Sequence, residues 1–193
     1  MINIVLFGPP GSGKGTQAKF LEEKFNLKQL STGDMFRYNL KNETDLGKLA
    51  QSYMDKGHLV PDEVTTEMLR EELKKHSGYD GFIFDGYPRT TSQAESLDAI
   101  LKEDLNSEVT VTLSLIVEDE ILVKRLLERG KESGRADDAN ELVIRERIAE
   151  YYKKTDVVAQ HYKGQDKYVE INGVGEISEI TENLIQAVGH VIS

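Results

Sequence analysis

The sequence predicts an α/β protein built as three layers, a central parallel sheet with helices on both faces. Three observations carry that expectation. Short runs at residues 2–7, 28–30, 81–85, 109–117 and 167–171 are rich in apolar residues, and they have strand length rather than helix length. The longer segments between them repeat apolar residues at helical spacing. Strands alternating with helices imply a parallel sheet covered on both faces, with ligands at the carboxyl ends of the strands.

The first run, I-N-I-V-L-F at 2–7, reads as a buried strand. Gly8 to Gln17 follows as G-P-P-G-S-G-K-G-T-Q, and then Ala18, Leu21 and Phe25 fall at helical spacing. Strand, glycine-rich loop, lysine, hydroxyl and helix are the phosphate-binding loop in its required context. Glycines let the backbone curl, so that N–H groups from Gly11, Ser12, Gly13, Lys14, Gly15 and Thr16 can point at one anion. The helix N-terminus adds partial positive charge. Lys14 supplies a full charge for the outer phosphates. Gly15 stands where the general pattern has its hydroxyl, so Thr16 is expected to hold magnesium through water or to bind phosphate.

After the strand at 28–30, the block L-S-T-G-D-M-F-R runs from Leu30 to Arg37, and Ser31 with Asp34 reads as a helix start of the capping-box kind. Residues 31–61 hold two helical segments before another strand, which suggests an inserted lobe. The block G-F-I-F-D-G-Y-P-R-T-T-S-Q-A spans Gly81 to Ala94. Its strand ends in Asp85, a carboxylate beside the phosphate loop that can hold magnesium through water. Gly86 and Pro88 fix a tight turn presenting Arg89.

From Arg125 to Arg147 the chain crowds Arg125, Arg129, Lys131, Arg135, Arg145 and Arg147 among Asp137, Asp138, Glu141 and Glu146. One account is a pair of salt-bridged helices, with Glu141 and Arg145 at i,i+4 and Asp138 as a cap. That account is assigned to Arg125 and Arg145. The other account is phosphoryl transfer, whose charge spreads over the migrating oxygens and needs cations around it. Residues 129–138, R-G-K-E-S-G-R-A-D-D, read as a mobile, glycine-punctuated surface loop. A turn at Asn172-Gly173-Val174-Gly175 follows the last strand. The final helix, Ile177 to Ile192, lines up Ile177, Ile180, Leu184, Ile185, Val188 and Val191 as a core stripe.

The 193 residues suit one domain with small inserted lobes. A formal net charge of −10 argues against a nucleic-acid or anionic-lipid partner. With no cysteine there is no disulfide, thiolate metal site or cysteine nucleophile. No signal peptide or membrane span of ~20 apolar residues is read in the sequence, so the expectation is a soluble cytoplasmic enzyme.

The G-K-G-T ending, S-T-G-D-x-x-R at 31–37, G-x-L-V-P-D at 57–62, D-G-Y-P-R-T-T-S-Q at 85–93 and the arginine-rich 129–147 occur in order. Together they resemble the adenylate kinases of the nucleoside monophosphate kinase family, in the short-lid form, over essentially the whole chain. The resemblance implies a P-loop kinase fold with core 1–30, 62–128 and 139–193, a monophosphate-binding lobe at 31–61 and a lid at 129–138. It implies reversible transfer of the terminal phosphoryl group from MgATP to AMP, giving two ADP. Thr32 would lie against the acceptor base, Arg37 and Arg89 would grip its phosphate, and Gln93 would read the adenine edge. His58, Leu59, Val60, Gly86, Tyr87 and Pro88 would line that acceptor site, with His58 peripheral. Arg129 would touch the donor nucleotide, Arg135 and Arg147 would clamp phosphates at the transfer point, and a carbonyl at Gly175 would face the donor base. Lys14, Arg89, Arg129, Arg135 and Arg147 would be the catalytic cations, and Asp85 and Thr16 the magnesium residues. No structural zinc is implied, because the cysteine-bearing insertion of long-lid relatives is absent here. The resemblance also implies a monomer without an obligate protein partner. Kinases for UMP or CMP are the alternative on this fold, but they tend to carry alanine at the Thr32 position and asparagines after P-R. A nucleotide-dependent switch is the alternative from another class; it would not need Arg37, Arg89 and Gln93. One departure stands out: Asp156-Val157-Val158 follows Thr155 where many relatives have a proline.

Overall fold

In the computed structural model, which describes residues 1–54, 60–134 and 136–192, the first strand lies at the centre of the sheet. The strands are β1 (Ile2–Phe7), β2 (Leu27–Ser31), β3 (Gly81–Asp85), β4 (Val111–Ile116) and β5 (Tyr168–Asn172). All pair in parallel, in the order β2-β3-β1-β4-β5. Each overlaps the run expected from sequence, with ends differing by a residue or two.

Alternation along β1 builds both cores at once. Val5 and Phe7 face one side, where they pack with helices α4 (Asp62–Lys75), α5 (Thr91–Leu105) and α7 (Glu141–Lys163) through residues such as Leu69, Leu97 and Val158. Ile4 and Leu6 face the other, against Ala18 and Leu21 of α1 (Lys14–Phe25) and Ile180, Leu184 and Val188 of α8 (Ile177–Ile192). Successive strand side chains point to opposite faces, so a strand apolar at nearly every position must be covered twice. The expected stripe on the last helix is core only in its middle: Ile177 and Val191 are 53% and 47% exposed, because the helix ends overhang the sheet.

Helix α6 (Asp119–Ser133) packs on the first half of α7 around Leu122, Leu126, Ile144 and Ile148, a satellite core beyond the end of β4. Helix α7 runs unbroken for 23 residues. Without a proline in 156–158, every residue there keeps an N–H for the helical ladder and no ring clashes with the preceding turn. The expected loop at 129–138 is shorter than its glycines suggest. Helix α6 continues through Ser133, ends on Gly134 in left-handed conformation, and a short 3₁₀ turn occupies Ala136–Asp138.

Two helices fill the expected lobe, α2 (Thr32–Lys41) and α3 (Asp45–Met54). Phe36, Ala50, Val60 and Met68 form its small separate core. Gly47 permits the close crossing, since a Cβ there would lie 2.2 Å from the Asn39 carbonyl oxygen.

Candidate active site

Strand register gathers the site. Leu6 pairs with Asp85, and Asp85 pairs with Ser31, so the exits of β1, β3 and β2 lie side by side at the carboxyl edge of the sheet. Beyond them opens a cleft of about 970 Å³, at the upper end of the ~300–1,000 Å³ range for small-molecule sites. Its walls include Lys14, Arg37, Asp85, Arg89, Arg129 and Arg147.

The loop after β1 curls through left-handed backbone at Gly11 (φ 82°) and Gly13 (φ 98°), a conformation that glycine adopts without a Cβ penalty. Gly13 caps α1. The first N–H groups of a helix have no partner within it, and they project toward the cleft with the positive end of the helix dipole. No acidic side chain occupies that first turn. Ser12 is buried, and its Oγ finds no hydrogen-bond partner among the described residues. Lys14 Nζ donates to the carbonyls of Gly8 (2.6 Å) and Pro9 (3.3 Å). Desolvation lowers the lysine's pKa; Asp85 opposes that shift, and Arg89, Arg129 and Arg147 add to it. A buried cation surrounded by further cations is a site that favours a polyanion.

On the acceptor side, Ser31 caps α2 by accepting from the Asp34 N–H at 3.4 Å. Arg37, one turn later, is exposed and paired with Asp34. Thr32 is buried and donates to the Gly86 carbonyl at 3.0 Å. Arg89 Nε donates to the same carbonyl at 2.8 Å. Its guanidinium is open to the cleft, yet desolvation still lowers its pKa, with Asp85 opposing. Gln93 is buried, 3% exposed, and its Oε1 accepts from the Arg89 N–H at 2.7 Å. Tyr87 and Val60 are packed in cores, the tyrosine hydroxyl 3.0 Å from Thr66 Oγ1. Gln29 Nε2 holds one oxygen of Asp85 at 3.0 Å.

The opposite wall hangs on a fully buried carboxylate. Asp138 accepts from Arg129 Nε (2.6 Å) and Arg129 Nη2 (3.0 Å), and from Arg147 Nη1 (2.7 Å). Burial alone would push its pKa up, but the two arginines outweigh burial and hold the carboxyl below the usual range. Gly130 makes the approach possible, since a Cβ there would stand 2.6 Å from the Asp138 carbonyl oxygen. The cap of α7 is not Asp138 but Asn140, whose Oδ1 accepts from Leu142 N at 2.9 Å. Arg145 does follow the ion-pair account, bridging Glu141 and Glu120. Arg125 does not: it donates to the carbonyls of Gly173 (3.2 Å) and, more weakly, Gly11 (3.5 Å), spanning the phosphate loop and the turn after β5.

Comparison with known proteins gives this constellation a family. Residues 6–167 match the family model described as adenylate kinase. The chain is 59% identical over 191 residues to the adenylate kinase of Flavobacterium johnsoniae, covering 99% of this chain and 100% of that protein. It is 56% identical over 191 residues to that of Flavobacterium psychrophilum, with the same coverage. The adenylate kinase of Bacteroides fragilis is 47% identical over 188 residues, covering 97% and 98% of the two chains. The chain belongs to the adenylate kinase family. It is therefore a phosphotransferase enzyme.

Within this adenylate kinase fold, the structure brings Lys14, Asp85, Arg89, Arg129, Arg147 and Gly175 to one cleft. Gly15 and Thr16 line it at the start of α1. Pro88 and Tyr87 lie buried behind it. His58, Leu59 and Arg135 lie outside the described residues. The residues to which the sequence reading gave the wrong role are Arg125, expected in an ion pair, and Asp138, expected as a cap. Glu128 at i+3 offered Arg125 an acidic partner in sequence, so nothing local signalled its bonds to the two loop carbonyls. No three or more acidic or histidine side chains among the described residues cluster as a metal site. Asp85 still suits magnesium, which keeps most of its waters, takes phosphate oxygens and needs only one or two carboxylates.

Proposed function

We propose that this enzyme moves the terminal phosphoryl group of ATP to AMP, giving two ADP reversibly, with the loop Gly11–Thr16 holding ATP's phosphates. The observation that carries the reading is one cleft joining the phosphate loop to Arg37 and Arg89, cations a single-nucleotide site does not need. An oxygen of the AMP phosphate bonds to the γ-phosphorus as the bond to the ADP oxygen breaks. No general base is required, because the nucleophile is already anionic. Lys14, Arg89, Arg129 and Arg147, with Arg135, stabilise the charge spread over the migrating oxygens. Magnesium, supplied with ATP and held by Asp85 and Thr16 through water, would neutralise phosphate charge.

Arg37 and Arg89 grip the acceptor phosphate, Thr32 and the 58–60 segment flank its base, and Gln93 reads the adenine edge. A glutamine amide both donates and accepts, as that edge requires. Gly175 and Arg125 border the donor base. The lobe at 31–61 and the lid at 129–138 close over the substrates, exclude water and limit hydrolysis. The UMP/CMP alternative is not favoured, since relatives sharing nearly the full length carry the adenylate kinase name. Among the described residues no helix is long and apolar enough to cross a membrane. We read the working unit as a monomer.

Phosphorus NMR of the protein with magnesium and ADP as sole nucleotide tests the reaction. ATP and AMP should rise together in equal amounts, and a Lys14→Ala control should lag on the order of 10²–10³-fold. Unchanged ADP with folded protein would reject the reading.

A further inference from the structure

We infer that Asp62 is a positioning residue for acceptor selectivity: it fixes which end of the Gln93 amide faces as donor and which as acceptor. This rests on the reading of Gln93 as the group that meets the acceptor base. Asp62 opens α4 directly after Pro61, and its carboxylate reaches across to the start of α5. Gln93 Nε2 donates to Asp62 Oδ1 at 2.7 Å, and Thr90 Oγ1 donates to Asp62 Oδ2 at 2.9 Å. Thr90 is also the cap of α5, accepting from the Gln93 N–H at 3.1 Å. The other end of the same amide, Oε1, accepts from the Arg89 N–H at 2.7 Å.

These bonds determine the amide's orientation. Turned over, the amide would set its NH₂ group against the Arg89 N–H and its oxygen against a carboxylate, two repulsions in a site 3% exposed. In the observed sense, one N–H and one oxygen lone pair of Gln93 have no partner among the described residues and are the ones a base would meet. That ordered pair matters because purine acceptors differ in the same way. Adenine presents a 6-amino donor beside an N1 acceptor; a 6-oxopurine presents a 6-oxo acceptor beside an N1–H donor. An amide held in one sense favours one pattern, and an amide free to turn accepts both. Of the two anchors, the Arg89 N–H belongs to the backbone and survives any substitution there except proline. Asp62 is the side chain on which the choice depends.

The second oxygen of Asp62 explains why a carboxylate, and not merely an acceptor, stands here. It also holds the hydroxyl that caps α5, and both helix N-termini favour a negative charge. Asp62→Asn can keep its amide oxygen toward Gln93 while its NH₂ group donates to Thr90 Oγ1, whose hydroxyl turns to release its own proton elsewhere. Asp62→Ala removes both acceptors.

The test is kcat/KM for AMP and for inosine monophosphate, which differ in this donor and acceptor pattern, measured with Asp62→Ala, Asp62→Asn, Gln93→Ala and the Asp62→Ala/Gln93→Ala double variant. Asp62→Ala should lower the preference for AMP over the 6-oxo nucleotide by roughly ten- to a hundredfold, the range for a hydrogen bond to a charged group. KM for ATP should not move. Asp62→Asn should restore most of the preference, and the double variant should discriminate no worse than Gln93→Ala alone. If Gln93→Ala destroys the preference and Asp62→Ala leaves it intact, Asp62 does not act through the amide and the inference fails. If Gln93→Ala itself leaves the preference intact, it is the reading of Gln93 that fails. Should Asp62→Ala not fold, Asp62→Leu, which fills the space without offering an acceptor, takes its place, and an unchanged preference there overturns the inference equally.

Discussion

The phosphate loop is one unbroken stretch of chain from Gly8 to Thr16, whereas the arginines sharing its cleft arrive from four places: Arg37 from α2, Arg89 from the turn after β3, Arg125 and Arg129 from α6, and Arg147 from α7. In the loop, the anion site is backbone, shaped by glycines and a helix start, and Lys14 is its one full charge. Across the cleft the site is side chains, and Arg129 and Arg147 are held by Asp138, whose carboxylate is fully buried. Losing that charge costs the loop two side-chain hydrogen bonds, to Gly8 and Pro9, but leaves its glycine turns and helix start in place. The arginine wall cannot lose its anchor without losing both position and stability.

The largest effect should come from Lys14→Ala, with turnover falling on the order of 10²–10³-fold, as for loss of other preorganised charge stabilisers. Its melting should stay within about 1 kcal/mol of the parent, because a cation whose pKa burial lowers contributes little to stability. A large loss of stability there would end the contrast.

Asp138→Asn should act on both properties. Misplacing Arg129 and Arg147 should cost up to about 10²-fold in turnover. Breaking the cluster should cost about 1–3 kcal/mol in denaturant unfolding, less than the 3–5 of a fully enclosed pair because the arginines reach solvent. The pH dependence has a definite sign. The folded carboxyl titrates below its usual value, so its stabilisation is complete above the unfolded value of about 3.9 and is lost as pH falls through the lower folded one. The parent should therefore lose stability relative to Asp138→Asn only in strongly acid solution. Equal acid sensitivity in the two proteins would sink the anchor role.

The smallest effect sharpens the contrast. Arg145 lies two residues from Arg147 on the same helix, but its partners Glu120 and Glu141 are both exposed. Arg145→Ala should leave turnover and melting where they are, as exposed ion pairs do. A turnover defect would mean that the wall depends on the charge of the whole helix rather than on the two anchored arginines.

This asymmetry also governs what could be read from the chain. The strands, the loop and α1 were legible because their signals are local: apolar alternation, glycines at fixed spacing, a lysine before a helix. Ser31, Asp85 and Arg89 were legible too, since strand ends and turns announce themselves. Asp138 was not. In sequence it is the second of two aspartates beside a glycine-rich stretch, and it looks like a cap or a solvated charge. Only the packing of α6 on α7, with Gly130 clearing space, buries it. Arg125 was hidden for a similar reason, as its carbonyl partners at Gly11 and Gly173 are 114 and 48 residues away. The extent of helix at 129–133 was masked by Gly130, which reads as a breaker and serves as a contact.

The central position of β1 has a consequence during synthesis. Residues 2–7 emerge before both of their partners, with five of six buried in the finished protein, for their neighbours are Gly81–Asp85 on one side and Val111–Ile116 on the other. At the usual pace of translation, roughly 5–20 residues per second, both edges of this apolar strand wait several seconds for a partner. Until then it offers open hydrogen-bonding edges to any other chain nearby. The nascent protein is most exposed to mispairing at the strand that will later lie deepest.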